Sequence, residues 1–215
     1  MLVACWSAKG GSGTTVVAAA LATELARRSA SGALLVDLDG DLPAVLGIPD
    51  PAAGVGSWLG AGGSVPPDAL ARLEVPVGDR LSLLGLGDEP PPDATRVDVL
   101  AAVLGADPRP VVVDCGSRPG PLGAPVAAAA TVSLLVLRPC YLALRRAVAS
   151  PLRPSGVVLV REPGRSIGRR DVEAALGVPV RAVVGVHETI ARRVDAGLLA
   201  GRLPGGLLRD LSRAA

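Results

Sequence analysis

Short runs of consecutive apolar residues alternate along this chain with stretches of helical pattern. Within the runs apolar and polar residues do not alternate, which is typical of strands buried on both faces in a parallel sheet. The predicted strands are 2–7, 33–37, 81–86, 110–114, 131–137, 156–160 and 180–186. The predicted helices are 14–28 and segments near 94–104, 120–130, 141–149, 169–176 and 188–199. This order predicts an α/β fold with a mostly parallel central sheet and helices on both faces.

The chain has 215 residues, which is enough for one compact domain, and we predict that residues 1–215 form a single domain. Two segments interrupt the alternation. The glycine- and proline-rich segment 50–68 is the main irregular insertion, and "DEPPPD" at 88–93 is a second break. Both are predicted to be surface loops inside the domain.

The stretch "SAKGGSGTT", residues 7–15, joins the first predicted strand to the first predicted helix. Its glycines let backbone N–H groups approach an anion, and the helix that begins near Thr14 adds the positive end of its dipole. Thr15 stands where a P-loop hydroxyl binds Mg²⁺. However, Thr14 occupies the usual lysine position, and the single lysine of the chain, Lys9, precedes the glycines. The glycines alone are therefore equally typical of a tight turn that binds nothing.

Three carboxylates stand at the ends of predicted strands. Asp37 and Asp39 follow "LLV", and Asp114 follows "VVV". Ligands of open α/β sheets bind beyond the carboxyl ends of the strands, so we expect these acids to converge on the glycine loop. Carboxylates in such places hold Mg²⁺ beside phosphates. The alternatives are an acidic loop that caps a helix, for the first two, and a solvated acid, for the third.

The composition argues against several classes of protein. A net charge of +2 requires neither nucleic acid nor an anionic membrane as a partner, and an aromatic content of 1% offers few platforms for stacking single-stranded bases. Three widely spaced cysteines without a C-x-x-C pair predict reduced thiols and a cytoplasmic location. Met1 leads directly into the first strand, so no signal peptide is expected. The uncharged run 119–137 contains three prolines and is predicted as loop, helix and strand rather than as a membrane span.

Taken together, the motifs resemble those of the ParA/MinD family of P-loop ATPases. "KGGSGTT" resembles the deviant Walker A motif of that family, K-G-G-x-G-K-[ST], and "VDLDGD" resembles its switch I acids. The segment that begins "VVVDCGSRPG" resembles the Walker B strand, switch II and the strand and helix that follow. "GVPVRAVVGVHETIARRVDAG" resembles the late strand and helix of MinD-like members. The likeness covers most of the chain in order, and it is strongest to the MinD-like branch, which includes CpaE/TadZ-type and septum-site-determining proteins.

The resemblance implies a three-layer P-loop NTPase fold with a site for ATP and Mg²⁺. It implies two catalytic residues: Lys9, the signature lysine that reaches the phosphates of a partner subunit in a nucleotide-sandwich homodimer, and Asp39, which orients or activates the attacking water. The implied metal site consists of Thr15, Asp37 and, through water, Asp114. The implied nucleotide-binding residues are Lys9, Gly10, Gly11, Ser12, Gly13, Thr14, Thr15 and Val16.

The chain departs from the family pattern at three places. Thr14 replaces the second lysine, which neutralises β- and γ-phosphate charge, so weaker binding and slower hydrolysis are expected. Many members carry an asparagine beside the adenine where this chain has Val160 and Arg161, and Arg161 would either stack on the base or be exposed. The C-terminal "LPGGLLRDLSRAA" has three leucines in its predicted last helix but no aromatic anchor, so no stable membrane binding is expected.

Paired arginines recur on the predicted helices. ParA-like proteins bind DNA nonspecifically through such surfaces, but arginine pairs are more often a solvated helix face, which is the interpretation we favour. The only histidine, His187, has no partner in the sequence pattern and is interpreted as structural or exposed rather than as a catalytic base. The arginine pairs are Arg145, Arg146, Arg169, Arg170, Arg192 and Arg193.

These observations predict an ATP-dependent dimerising switch that positions a cellular cargo, with slow hydrolysis. The cargo would be a cell-division site, pilus machinery, a chromosome or a plasmid, and an unidentified activating or cargo protein would be a partner. The alternative is a scaffold that retains the fold without turnover: Thr14 favours the scaffold, whereas Lys9, Asp39 and Asp114 favour the switch. A metabolic ligase of the P-loop class is a third possibility, although no substrate pocket is identifiable from the sequence.

Overall fold

The computed structural model describes residues 1–62, 66–89, 96–199, 203–211 and 214, and it confirms the predicted alternation of strands and helices. In the described residues the strands are β1 (Leu2–Ser7), β2 (Ala33–Asp37), β3 (Val75–Pro76), β4 (Leu81–Leu84), β5 (Val111–Ser117), β6 (Val132–Leu137), β7 (Gly156–Arg161) and β8 (Val180–Gly185). The helices are α1 (Thr14–Arg28), α2 (Leu42–Leu46), α3 (Val55–Gly60), α4 (Val97–Ala106), α5 (Gly123–Ala129), α6 (Tyr141–Val148), α7 (Arg169–Leu176), α8 (Glu188–Asp195) and α9 (Gly205–Leu211), with a 3₁₀ helix at Pro67–Leu73.

The strands form one sheet in the order β3-β4-β2-β5-β1-β6-β7-β8. Every pairing is parallel except that of β3 with β4, which is a short antiparallel edge. The predicted fold class, a mostly parallel sheet between two layers of helices, is therefore confirmed. The three segments predicted to carry the site leave the sheet from β1, β2 and β5, which are close neighbours in this order.

The core lies on both faces of the sheet because the central strands are apolar on both sides. Along β1, Val3 and Cys5 face the cluster that contains α1, whereas Ala4 and Trp6 face the opposite cluster. Trp6 is fully buried, and its indole N–H donates a 3.0 Å hydrogen bond to Ser133 Oγ on β6. A strand apolar on both faces is what the sequence pattern predicted for the centre of the sheet.

The prediction that segment 50–68 is a surface loop is wrong in its middle part. Residues 55–60 form α3, and Trp58, 2% exposed, packs into the core. The glycines permit this because the chain passes directly against the end of β4. A Cβ atom at Gly54 would lie 2.1 Å from the carbonyl oxygen of Gly85, and the Val55 N–H donates to that same oxygen at 2.9 Å. Here glycine supports a backbone contact rather than an exposed turn.

Other boundaries differ by a few residues from those predicted. β5 runs on to Ser117, α8 ends at Asp195 rather than near 199, and α2, β3 and the 3₁₀ helix were not predicted. In the second predicted loop, residues 90–93 lie outside the described residues, as do 94 and 95 at the start of the helix predicted near 94–104.

The leucines of the last helix belong to the hydrophobic core. In α9, Leu207, Leu208 and Leu211 are buried, and the helix packs against α1 and β8. Among the helices in the described part of the chain, none has the length and apolar character required to cross a bilayer.

Candidate functional site

The glycine loop between β1 and α1 is held by its own hydrogen bonds. Gly11 and Gly13 adopt left-handed conformations, with φ of 74° and 86°. The hydroxyls of Ser7 and Ser12 both donate to the carbonyl oxygen of Lys9, at 3.1 and 2.7 Å. The loop thus has a defined shape in which the glycines expose the backbone and the serines fix the turn.

The side chains at the two ends of the loop lie in different environments. Lys9 is half-buried, and its Nζ lies 3.5 Å from the carbonyl oxygen of Gly10. Thr14 is buried and Thr15 is half-buried at the first turn of α1. The single lysine is therefore half-buried beside the first glycine of the loop, whereas a neutral threonine stands where the helix begins.

Asp37 and Asp114 lie side by side because β2 and β5 are paired in parallel with these residues in register. Both oxygens of the Asp37 carboxylate are occupied by backbone donors: Oδ1 accepts from the N–H groups of Asp39 and Gly40, at 3.0 and 2.8 Å, and Oδ2 accepts from Leu42 at 2.9 Å. Burial raises its pKa, and these N–H groups oppose the rise. Asp37 thus fixes the turn that leads into α2, which is the helix-capping role considered from the sequence.

Asp114 has an unpaired carboxylate oxygen. It is fully buried, and its Oδ1 accepts a 3.0 Å hydrogen bond from the Gly116 N–H, but its Oδ2 has no partner with hydrogen-bond geometry in the described part of the chain. Burial raises the pKa of Asp114 to about 7, the charges of Asp37 and Asp39 add to the rise, and the nearby Thr15 hydroxyl opposes it. A buried oxygen without a partner is costly, and a hydrated cation would satisfy it.

Asp39 is brought to the same strand end by a close contact with glycine. Gly116 has φ 67°, and a Cβ atom there would lie 2.2 Å from Cγ of Asp39. The Asp39 side chain remains exposed, and its pKa is raised first by partial burial and then by the charge of Asp41. Any larger residue at position 116 would displace the Asp39 carboxylate from the end of β5.

The glycine loop also contacts the segment that follows β5. The Arg118 N–H donates to the Ser7 carbonyl oxygen at 2.6 Å, and a Cβ atom at Gly10 would lie 3.8 Å from Ser117 Oγ. The segments predicted to converge therefore do so. Within the described residues no three His, Cys, Asp or Glu side chains are grouped to hold a metal ion unaided. A cation here would need oxygen ligands from phosphate and water as well, which is how Mg²⁺ is usually bound.

An apolar cleft of about 560 Å³ opens beside the loop. Val16 contributes to its wall from α1, Val160 from β7 and Ile190 from α8. Arg161 is exposed and is not among the residues that line the cleft, so the structure places it away from a base at this position. His187 is exposed at the rim, in agreement with the non-catalytic interpretation. The cleft has the size and apolar walls of a small-molecule pocket.

Sequence reasoning missed two residues beside the loop. Arg138 Nη1 donates to the Gly11 carbonyl oxygen at 2.9 Å, and the same guanidinium forms an ion pair with Glu162. Arg138 directly follows β6 and Glu162 directly follows β7. The rule that functional side chains follow parallel strands, applied to the acids above, would also have identified these two.

A doubly wound, mostly parallel sheet with a glycine loop after β1 and acids at the end of β2 and within β5 defines a P-loop nucleotide-binding fold. Solved structures identify more closely the group of proteins that share this fold. A ParA family ATPase from Chlorobium tepidum TLS is 21% identical, with a TM-score of 0.81 over 98% of this chain and 96% of that one. The septum site-determining protein MinD of Pyrococcus horikoshii OT3, complexed with Mg-ADP, is 20% identical, with a TM-score of 0.80 over 98% and 93%. A Borrelia burgdorferi B31 protein bound to AMPPNP is 16% identical, with a TM-score of 0.69 over 99% and 96%.

The chain therefore has the fold of the ParA/MinD ATPases, and the fold predicted from the motifs is confirmed. No family model matches the sequence, and no curated protein matches it. The likeness is one of architecture at low identity, so the roles of individual residues depend on the geometry described above.

Proposed function

We propose that this chain is an ATP-dependent dimerising switch that positions a cellular cargo and hydrolyses ATP slowly. The observation that carries the proposal is the meeting of the glycine loop, Thr15 and Asp114 at one edge of the sheet. The buried, unpaired Oδ2 of Asp114 at that point is an acceptor that a hydrated cation would satisfy.

The loop offers a binding site for phosphate oxygens. Backbone N–H groups from Gly10 to Thr15 and the N-terminus of the 15-residue helix α1 supply partial positive charge. Thr15 and Asp114 are suited to hold Mg²⁺, directly and through water, when ATP is bound. The Asp37 carboxylate has used three of its roughly four acceptor positions on backbone N–H groups, so its proposed role at the metal is limited to one remaining lone pair. Bound Mg²⁺ would supply neutralisation of phosphate charge.

The apolar cleft beside the loop is proposed to hold the base. Val16 and Val160 offer apolar contact, and the polar side chains of Arg138, His187 and Asp195 also line the cleft. Any selectivity for adenine over guanine would come from these polar groups, since strong discrimination requires polar groups that are satisfied by one base only.

Lys9 and Asp39 are proposed to act in turnover. Lys9 precedes the glycines of the loop and is half-buried, and its proposed role is that of a lysine that reaches the phosphates of a partner subunit. The exposed carboxylate of Asp39, held over Gly116, is proposed to orient the attacking water. Two structural neighbours bind adenine nucleotides, and two are named as a ParA family ATPase and a septum site-determining protein, which supports nucleotide binding and a positioning role for this chain as well.

The test is the oligomeric state measured by size-exclusion chromatography with light scattering. With Mg-ATP the wild-type chain is expected to shift from monomer to dimer, and Lys9→Ala is expected to stay monomeric. A dimer that forms equally without nucleotide, and equally with Lys9→Ala, would instead favour the second candidate function, a scaffold without turnover. The neutral, buried Thr14 is the observation that favours that candidate.

A further inference from the structure

The cation nearest to the glycine loop in the same subunit, apart from Lys9, comes from a different strand. Arg138 follows β6, which pairs directly with β1, and its Nη1 donates to the Gly11 carbonyl oxygen at 2.9 Å. The Arg138 side chain is 41% exposed, so a ligand in the loop can reach it. A guanidinium has five N–H donors, and the loop and its ion pair leave several of them available.

Glu162 fixes the position of this guanidinium. Its carboxylate forms the ion pair with Arg138 and also accepts a 3.0 Å hydrogen bond from Nε of Arg165. The Glu162 side chain is only 18% exposed, which limits its movement. A carboxylate held between two arginines is a support that keeps Arg138 beside the loop before any ligand arrives.

The surroundings carry an excess of positive charge. A cavity of about 200 Å³ lies between the outer side of the loop and these residues, and its lining includes Lys9, Arg138, Arg165 and Glu162. Three cations face one carboxylate there. An anion bound at the loop would therefore meet a favourable potential in addition to the backbone N–H groups.

We propose that Arg138 is a phosphate-binding residue that supplies, within one subunit, the positive charge that Thr14 does not. The inference rests on the proposed function and deepens it, because it assigns the charge that holds the phosphate chain of a nucleoside triphosphate. Arginine suits this role because its planar guanidinium stays charged and donates to phosphate oxygens in a fork. Lys9 differs, since its proposed target is the nucleotide of the partner subunit.

The test is calorimetric titration of the full chain with Mg-ATP and, separately, with adenosine. Arg138→Ala is expected to weaken ATP binding by about 10- to 100-fold, the range for loss of a charge-assisted hydrogen bond. It is expected to weaken adenosine binding much less, although Arg138 also lines the apolar cleft. Arg169→Ala is the control: it breaks an exposed ion pair with Glu173 at a residue that lines neither this cavity nor the cleft, and less than about a threefold change is expected. Thermal melts establish that each variant is folded.

A double-mutant cycle tests whether Arg138 supplies the charge that Thr14 lacks. With Thr14→Lys in place, a lysine again stands at the phosphates, and Arg138→Ala is then expected to cost less than about threefold. The inference is overturned if Arg138→Ala weakens ATP binding no more than Arg169→Ala does, if it weakens adenosine binding equally, or if Thr14→Lys leaves the effect of Arg138→Ala unchanged. Failure of the wild-type chain to bind Mg-ATP would remove the proposed function together with this inference, whereas the other failures remove the inference alone.

Discussion

At the scale of single residues, the three acids at the carboxyl edge have different tasks although they share one motif pattern. The Asp37 carboxylate accepts hydrogen bonds from backbone N–H groups. Asp114 is buried with one carboxylate oxygen unpaired in the described part of the chain, and Asp39 is exposed and contacts Gly116. Their environments, rather than their identities, separate a structural acid from one suited to a metal and one suited to water.

Asp114 gives a prediction for stability against pH in the absence of metal and nucleotide. Burial raises its folded-state pKa to about 7 from 3.8, so between these values the native state binds more protons than the unfolded state. The free energy of unfolding in EDTA is therefore expected to fall as pH rises from about 4 to about 7. Asp114→Asn cannot ionise and is expected to flatten this part of the profile, as measured by urea unfolding at each pH.

This prediction would be contradicted if the free energy of unfolding changed with pH in the same way for the wild-type chain and for Asp114→Asn. The control is Asp210→Asn, the same substitution at an exposed acid outside the site.

The sequence predicted where the site residues lie better than it predicted the interactions that each of them makes. Asp37 and Asp114 had to converge because parallel strands end at one edge, but the pattern could not show that three backbone donors would occupy Asp37. Arg138 was not predicted because it is neither part of the glycine loop nor an acid, and it follows β6, which lies on the other side of β1 from β5. Its contact with Gly11 spans 127 residues of sequence and depends on strand order, which apolar patterns alone do not give.

At the scale of elements, the apolar runs predicted the main strands because continuous burial leaves a clear pattern. α3 was missed because its glycines and neighbouring prolines resemble a loop, whereas Trp58 anchors it in the core with the Arg96 guanidinium 4.5 Å from its ring. Such an element is stabilised by tertiary packing rather than by helix propensity, and local sequence therefore predicts it poorly.

The last helix gives a prediction that separates a core role from a surface role. Leu211 of α9 is fully buried against the cluster that includes α1, so Leu211→Ala is expected to lower the free energy of unfolding by roughly 2–5 kcal/mol. Chemical denaturation followed by circular dichroism measures it. The neighbouring exposed residue supplies the control, since Asp210→Ala is expected to change stability by less than about 0.5 kcal/mol. Equal effects of the two variants would show that α9 is not part of the core.

At the scale of the whole molecule, the central question is how a loop whose single lysine precedes its glycines could bind a nucleotide. The loop, the segment after β2 and the segment after β5 contact one another within one subunit. In the proposed switch, a bound triphosphate would contact all three segments, and its γ-phosphate would couple their conformations to subunit association.

Asp39 gives the prediction that belongs to this scale. If its carboxylate orients the attacking water, Asp39→Ala binds Mg-ATP but does not hydrolyse it, and the closed dimer accumulates. Light scattering is expected to show a persistent dimer for this variant, while the wild-type dimer decays as phosphate is released. Asp210→Ala, a change to an exposed acid on α9, is expected to behave like the wild-type chain. An Asp39→Ala dimer that decays at the wild-type rate would exclude the water-orienting role.

The most direct measurement is a calorimetric titration of Mg-ATP into the purified chain, with Lys9→Ala and Thr15→Ala as controls. The proposed switch predicts saturable, magnesium-dependent binding, weakened in both variants, because Lys9 contributes through the dimer and Thr15 through the metal. Absence of saturable binding at millimolar ATP, with the protein folded, would contradict the switch and leave a P-loop fold that serves as a scaffold.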